Sequence, residues 1–97
     1  MKIIAVEKLL PAAEENREKF SELLPEQMKH SVKMHLANVV REFYMRTDQP
    51  GSVLILEVDD EEQAKSFLNN LPLVKEGLIE FDLIPLGPYL PLALALE

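Results

Sequence analysis

The spacing of apolar residues along the chain changes from the period of a strand to that of a helix and back. Residues 2–10 are apolar except at Lys2, Glu7 and Lys8, and they predict a strand that is buried on most of both faces. Pro11 suits the first turn of a helix, because its missing N–H costs nothing there. An apolar stripe at helical spacing then follows, at Phe20, Leu23 and Leu24.

Pro25 stands inside this helical region and is expected to interrupt or restart the helix. From Glu26 to Ala37 the apolar stripe resumes, with members at Met28, Val32 and Leu36. Asn38 follows as a candidate left-handed C-cap. The region therefore predicts helical structure from Pro11 to Ala37, divided at Pro25.

Two runs rich in β-branched and aromatic residues flank the turn sequence DQPG at 48–51 and predict a hairpin. Pairing Thr47 with Ser52 across this turn places Glu42 opposite Glu57. Because side chains alternate along a strand, one face of the hairpin is nearly all apolar and is expected to pack on the helices. The other face mixes polar and apolar side chains: Glu42, Tyr44, Arg46, Val53, Ile55 and Glu57.

Asp59 or Asp60 is expected to cap a second helix, and Asp59 with Glu62 has the spacing of a capping box. This helix carries the clearest apolar stripe of the chain, at Ala64, Phe67, Leu68 and Leu71. Pro72 ends the helix, and residues 77–86 predict a last strand. The order β-α-β-β-α-β predicts an α+β fold of the ferredoxin-like type, with both helices on one face of an antiparallel sheet.

The other, open face of the predicted sheet is apolar with a polar minority. On the last strand, Glu80 and Asp82 share this face with Leu78 and Ile84. A solvated sheet face should be more polar than that, so we expect a second copy of the chain to cover it. The sequence thus predicts one small domain over residues 1–97 that assembles as a homodimer or a higher homo-oligomer.

Three prolines shape the segment that follows the last strand. Pro85, Pro88 and Pro91 argue against an ordinary helix or a central strand over residues 85–91. The apolar residues beyond Pro88 nearly alternate: Tyr89, Leu90, Leu92, Leu94 and Leu96. Since alternation is typical of an extended segment with one buried face, we expect residues 88–97 to form an extended tail that packs on a neighbouring subunit.

Composition and charge narrow the classes of partner. The chain is 47% hydrophobic and 28% charged, as in an ordinary globular protein, and its net charge of -7 argues against nucleic acid or an anionic membrane surface. The absence of cysteine excludes disulfides and thiolate chemistry. The apolar run before Glu7 is too short for a signal-peptide core or a membrane span, so a cytoplasmic protein is expected.

The polar residues of the open face are the candidate functional groups. Glu42, Glu57 and Glu80 could form an acid/base cluster, because crowded carboxylates in an apolar cavity have raised pKa values and can move protons near neutral pH. Alternatively, they are solvated or neutralised in a structural network. Tyr44 is a candidate pocket wall with a hydroxyl donor. Arg46 is either a clamp for a substrate carboxylate or a surface turn residue.

The two histidines do not predict a metal site. His30 and His35 are five residues apart, which is about 140° of rotation on a helix, so they do not share one face. Surface or helix-packing roles are expected for both, and neither a metal nor a cofactor is predicted.

Four short segments carry a family resemblance: YMR at 44–46, LEV at 56–58, LPL at 71–73 and LIEF at 78–81. In this order they resemble the dimeric α+β barrel superfamily, and within it muconolactone isomerase. The resemblance implies that two subunits press their sheets together around a pocket, with Arg46, Glu57 and Glu80 as matching site residues. The segments TDQPGS and VKEG depart from that enzyme, so its substrate specificity does not carry over.

Two functions are consistent with this pattern. The first is a small isomerase or lyase that binds a compact carboxylated ring or lactone between paired sheets. Its acid/base groups would be Glu57, Glu80 and Glu42, with Arg46 and Tyr44 binding the substrate. The second is a non-catalytic module of the same fold that binds a small molecule or supports assembly. A carboxylate with a perturbed titration favours the first, and normal titration of all carboxylates favours the second.

Overall fold

Four antiparallel strands form one sheet, and the main helices lie against one of its faces. A computed structural model describes residues 1–96. The strands are β1 (Lys2–Leu9), β2 (Val40–Met45), β3 (Ser52–Glu57) and β4 (Ile79–Leu86), in the spatial order β2-β3-β1-β4. The helices are α1 (Pro11–Glu15), α2 (Arg17–Leu36), α3 (Glu61–Asn69), α4 (Pro72–Lys75) and α5 (Leu90–Leu94). The predicted ferredoxin-like α+β fold is confirmed; its pairing into a dimer stays a prediction.

The first helical region breaks at Asn16 and not at Pro25. Asn16 has φ −128° and ψ 51°, outside the helical range, and it separates α1 from α2. The second helix then continues through Pro25, so the predicted interruption there is wrong. A proline inside a helix costs about 3 kcal/mol, and packing on both sides of it offsets this cost. Phe20 precedes the proline and Met34 follows it, and both contact the core.

The helix ends follow from local hydrogen bonding. Asn38 has φ 62°, which confirms the left-handed cap after α2. At the start of α3, Asp60 Oδ1 accepts a hydrogen bond from the Gln63 N–H at 2.8 Å. The Gln63 side chain in turn accepts from the Asp59 N–H at 2.7 Å. The reciprocal cap is therefore formed by Gln63 with Asp59 and Asp60, and not by Asp59 with Glu62 as predicted.

The core lies between the helices and the helix-facing side of the sheet. In the central strands, Ile3 pairs with Leu56 and Ala5 with Leu54, and all four side chains are buried. They pack against Met34 of α2 and against Ala64 and Leu68 of α3. Burying an aliphatic side chain contributes about 1.5–3 kcal/mol, so this layer fixes the helices on one face and leaves the other face open.

The hairpin has a longer loop than predicted. Met45 pairs with Ser52 and Tyr44 with Val53, a register two residues away from the predicted one. Glu42 consequently lies opposite Ile55, so the predicted pairing of Glu42 with Glu57 is wrong. Because the shift is an even number of residues, the side chains from Glu42 to Met45 keep their predicted faces. An irregularity between Val40 and Glu42 turns Val40 into the core opposite Leu56.

The segment after β4 forms a short helix instead of the predicted extended tail. Pro91 lies in the first turn of α5, where a proline is tolerated. Five apolar side chains of this segment are 65% or more exposed: Tyr89, Leu90, Leu92, Leu94 and Leu96. Packing on a neighbouring subunit stays a prediction. Within residues 1–96, no helix has the length and apolar character needed to cross a membrane.

Candidate functional site

A groove of about 580 Å³ opens between α2 and the helix-facing side of the sheet. Most of its lining is apolar, with Phe20, Leu24, Met28 and Val32 from α2 and Phe43, Met45 and Leu54 from the sheet. The polar residues of the lining are Glu7, Gln27, Ser31, His35, Tyr44 and Ser52. A concave, mostly apolar site with a few polar groups is the usual form of a small-molecule site.

Glu7 places a carboxyl group in this groove. It shares the helix-facing side of β1 with Ile3 and Ala5, because side chains alternate along a strand. Ser52 of β3 donates a hydrogen bond to Glu7 Oε1 at 3.1 Å. Burial raises the pKa of the Glu7 carboxyl above its ordinary value of 4.5, and the hydrogen bonds from Ser52 oppose this effect. Glu7 is therefore a half-buried acid that retains its proton to a higher pH than a solvated glutamate.

Gly51 allows the hairpin loop to lie against the strand that carries Glu7. Its φ of +137° lies in the region that favours glycine. A Cβ at this position would stand 3.1 Å from the Glu7 carbonyl oxygen. The loop is closed by a hydrogen bond from the Arg46 N–H to the Gly51 carbonyl at 2.9 Å. Gly51 thus brings Ser52 into position beside Glu7.

Among the described residues 1–96, Gln27 is the one buried polar or charged residue, and it also lines the groove. The residue is 8% exposed. Its Oε1 accepts a hydrogen bond from the Leu73 N–H at 3.1 Å, which ties α2 to the first turn of α4. This bond fixes the orientation of the side-chain amide.

His35 closes the groove at the β2 edge. Its Nδ1 lies 2.9 Å from the Val40 carbonyl oxygen. Since a carbonyl oxygen only accepts, Nδ1 carries the proton and Nε2 is the remaining ring nitrogen. The ring meets Phe43 edge-on, with 5.7 Å between ring centroids. This contact agrees with the predicted packing role.

The five residues predicted from the sequence lie outside this set of polar groups, apart from Tyr44 at the rim. The Tyr44 hydroxyl donates to Glu42 Oε1 at 2.5 Å on the exposed surface of β2. This hydrogen bond raises the pKa of Tyr44 above 10.0. Glu42 and Tyr44 therefore form a surface pair.

Glu57 and Glu80 lie at opposite ends of the open face. Glu57 pairs with Lys2 in the sheet and accepts from the N-terminal ammonium group at 3.4 Å. Glu80 pairs with Lys8, whose Nζ lies 3.9 Å from the Glu80 carboxylate. Six residues along a strand span about 20 Å. One subunit does not bring these two carboxylates together, and within residues 1–96 no three acidic or histidine side chains could jointly hold a metal ion.

Arg46 is held in the hairpin loop by Asp48. Its Nε and Nη2 donate to the two carboxylate oxygens of Asp48 at 3.0 and 2.7 Å. The hydrogen bond holds the pKa of Asp48 below its usual range and raises that of Arg46. The guanidinium group already has a carboxylate partner, which supports the turn-residue alternative over the clamp.

Sequence reasoning missed Glu7, Gln27 and Ser52. Glu7 was detectable, because a glutamate in phase with Ile3 and Ala5 on a buried strand must face the helices. Gln27 gave no such signal. Polar residues are common on helices, and the sequence does not show that the side of α2 that carries Gln27 is buried. The position of Ser52 beside Glu7 depends on the register of the hairpin, which a local pattern does not give.

Comparisons with known proteins agree with this architecture. The family model of the YCII-related domain matches residues 1–85. A solved structure that matches is the 5-chloro-2-hydroxyhydroquinone dehydrochlorinase TftG from Burkholderia phenoliruptrix AC1100, in complex with 2,5-dihydroxybenzoquinone. It is 17% identical and has a TM-score of 0.58 over 90% of this chain and 94% of that chain. A search of curated proteins found no match. Since the family model covers most of its length, the chain belongs to the family of the YCII-related domain.

Proposed function

We propose that the chain is a small-molecule enzyme of the isomerase or lyase type, which binds a compact ring compound in the groove and moves a proton with Glu7. The observation that carries this proposal is the half-buried Glu7 carboxyl in a mostly apolar cavity. A raised pKa makes the ionised carboxylate a stronger base and keeps the protonated acid available closer to neutral pH. The matching dehydrochlorinase structure holds 2,5-dihydroxybenzoquinone, which supports a compact ring as the ligand.

A lactone or ring ketone suits this groove better than a carboxylated ring. Ionised Glu7 removes a proton from the carbon beside the carbonyl, and the electron pair spreads onto the carbonyl oxygen. Protonated Glu7 then returns the proton at the far end of the allylic system, and the double bond shifts. Atoms and electrons balance without an oxidant. A substrate carboxylate would need a cation, and Arg46 is already paired with Asp48.

The open face of the sheet supports assembly of two copies. Its apolar residues are half-buried or exposed in the single chain: Ile4, Val6, Val53, Ile55, Ile84 and Leu86. A contiguous apolar face of this kind is typical of a subunit interface. In the proposed dimer Glu42, Glu57 and Glu80 lie around this interface, apart from the groove.

The proposal is tested by locating the bound ligand. α-Angelica lactone and 2,5-dihydroxybenzoquinone are titrated into the isotope-labelled protein, and backbone amide shifts are recorded by NMR. We expect changes at Glu7, Gln27 and Ser52, and no change at Glu57 or Glu80. Changes confined to the open face would instead support the pocket between paired sheets. Binding in the groove without any proton transfer would support the non-catalytic module.

A further inference from the structure

Gln27 is a largely buried residue whose amide nitrogen has no protein acceptor in the described part of the chain. Oε1 of the same side chain is occupied by the Leu73 N–H, while within residues 1–96 no acceptor lies in hydrogen-bonding position for Nε2. Also within this range, no fully enclosed side-chain nitrogen or oxygen lacks a partner. Nε2 must therefore reach open space, and the cavity that Gln27 lines is the groove.

The surroundings of this donor are mostly apolar, so a ligand oxygen in the groove would gain a hydrogen bond there. Gln27 is 8% exposed, and the groove around it is mostly apolar. Its orientation is set by the Leu73 N–H, because only an oxygen can accept that hydrogen bond. The amide cannot turn over to present its oxygen to the groove without leaving the Leu73 N–H unpaired. The groove thus contains a fixed N–H donor.

We propose that Gln27 Nε2 donates a hydrogen bond to the carbonyl oxygen of the ligand and selects carbonyl compounds over hydrocarbons of the same shape. This inference rests on the proposed function of the groove and names the oxygen that the ligand must carry. When Glu7 removes a proton beside the carbonyl, negative charge develops on that oxygen. A donor already aimed at the oxygen stabilises the charge. Gln27 is thereby the specificity-determining residue of the groove.

The test uses two probes that differ only at the proposed hydrogen bond. Cyclohexanone carries a ring carbonyl, and methylenecyclohexane replaces its oxygen with a CH₂ group. Their affinities are measured by NMR for the wild type, Gln27→Glu and Gln27→Met. Gln27→Glu keeps an oxygen for the Leu73 N–H and removes the N–H donors, whereas Gln27→Met removes both. Gln49→Glu adds the same charge in the exposed hairpin loop as a control.

We expect the ratio of ketone to hydrocarbon affinity to fall about 2- to 12-fold in both Gln27 variants, the value of one net hydrogen bond. Gln49→Glu should keep the wild-type ratio. In the wild type, the side-chain amide resonances of Gln27 should move with cyclohexanone and stay in place with methylenecyclohexane. If the variants do not fold, this response of the wild-type Gln27 amide resonances shows by itself whether Gln27 donates to the ketone.

Two outcomes distinguish a failure of the Gln27 donor role from a failure of the proposed function of the groove. If both probes bind in the groove with a ratio that the Gln27 variants leave unchanged, the donor role is wrong and the groove proposal stands. If neither probe, nor the ligands of the preceding test, shifts any groove resonance, the proposed function itself is overturned and this inference falls with it.

Discussion

Ser52 donates a hydrogen bond to Glu7 Oε1 at 3.1 Å, across the central strands of the sheet and 45 residues away in sequence. The contact joins the end of the hairpin loop to the half-buried carboxyl of Glu7 in β1. It opposes the effect of burial, because a hydrogen bond to the ionised form lowers the pKa that burial raises. The balance of these two effects sets the pH at which Glu7 can act as a base.

Glu7→Gln is expected to stabilise the protein at neutral pH. The folded-state pKa of Glu7 is raised above 4.5, so the folded state binds a proton more tightly than the unfolded state. Proton binding by Glu7 therefore makes a stabilising contribution to the free energy of unfolding. This contribution is fully present below pH 4.5 and is lost as the pH rises through the folded-state pKa. The stability difference in favour of Glu7→Gln should grow over that interval and then stay constant, as measured by urea denaturation between pH 4 and pH 8.

Ser52→Ala provides the matched control. It removes the hydrogen bond that lowers the pKa, so the Glu7 carboxyl should titrate at a still higher pH, observable by carbon-13 NMR. If Glu7 titrates at or below its ordinary value in the wild type, the carboxyl is not desolvated and the pH dependence above is wrong.

Glu42→Gln is expected to lower the pKa of Tyr44 toward 10.0. The hydrogen bond to the Glu42 carboxylate stabilises the neutral phenol, and a neutral amide oxygen does so less strongly. The tyrosinate absorbance of the wild type and the variant is compared during alkaline titration, with Glu80→Gln as a control that leaves the pair intact. Identical titration curves would show that the contact does not persist in solution.

The fold follows from the sequence because its signals are local. The alternation of Ile3 and Ala5 with Ile4 and Val6, and the stripe around Ala64, need no knowledge of distant contacts. The predictions that are wrong concern features that depend on contacts between residues far apart in the sequence. Pro25 stays within a helix because Phe20 and Met34 pack on the core.

The candidate site follows from the sequence much less well. The acids predicted as site residues lie on the open face, where Glu57 and Glu80 are about 20 Å apart along the strand direction. The polar groups that meet in the groove come from β1, α2 and β3. Their meeting depends on the hairpin register and on the rotation of α2, and neither is encoded in a short motif.

Ile55→Glu is expected to separate the proposed dimer while leaving the subunit folded. Ile55 lies on the open face between Ile4 and Glu42 in the sheet, outside the core between sheet and helices. Light scattering should give twice 11.1 kDa for the wild type and 11.1 kDa for the variant, with unchanged circular dichroism. Leu36→Glu places the same charge on an exposed apolar site of α2 and should remain dimeric. A wild type that is monomeric at micromolar concentration would contradict the pairing of open faces.

Deletion of residues 89–97 is expected to lower the melting temperature and weaken association. The leucines of α5 are exposed in the single chain, and burying each on a neighbour contributes roughly 1.5–3 kcal/mol before ordering costs. Replacing Leu92 and Leu94 with serine keeps the length of the chain and should have the same direction of effect. Full stability and an unchanged oligomeric mass after truncation would show that this segment takes no part in assembly.

Deuterium exchange into α-angelica lactone shows whether Glu7 transfers a proton in the groove. In D₂O the wild type should accelerate both deuterium incorporation beside the carbonyl and the shift of the double bond, followed by proton NMR. Glu7→Gln should lower the rate about 100-fold or more, the usual contribution of a general acid/base. Glu42→Gln, Glu57→Gln and Glu80→Gln should keep the wild-type rate. A wild-type rate in Glu7→Gln, or its loss in one of the three open-face variants, would show that Glu7 in the groove does not carry the proton transfer.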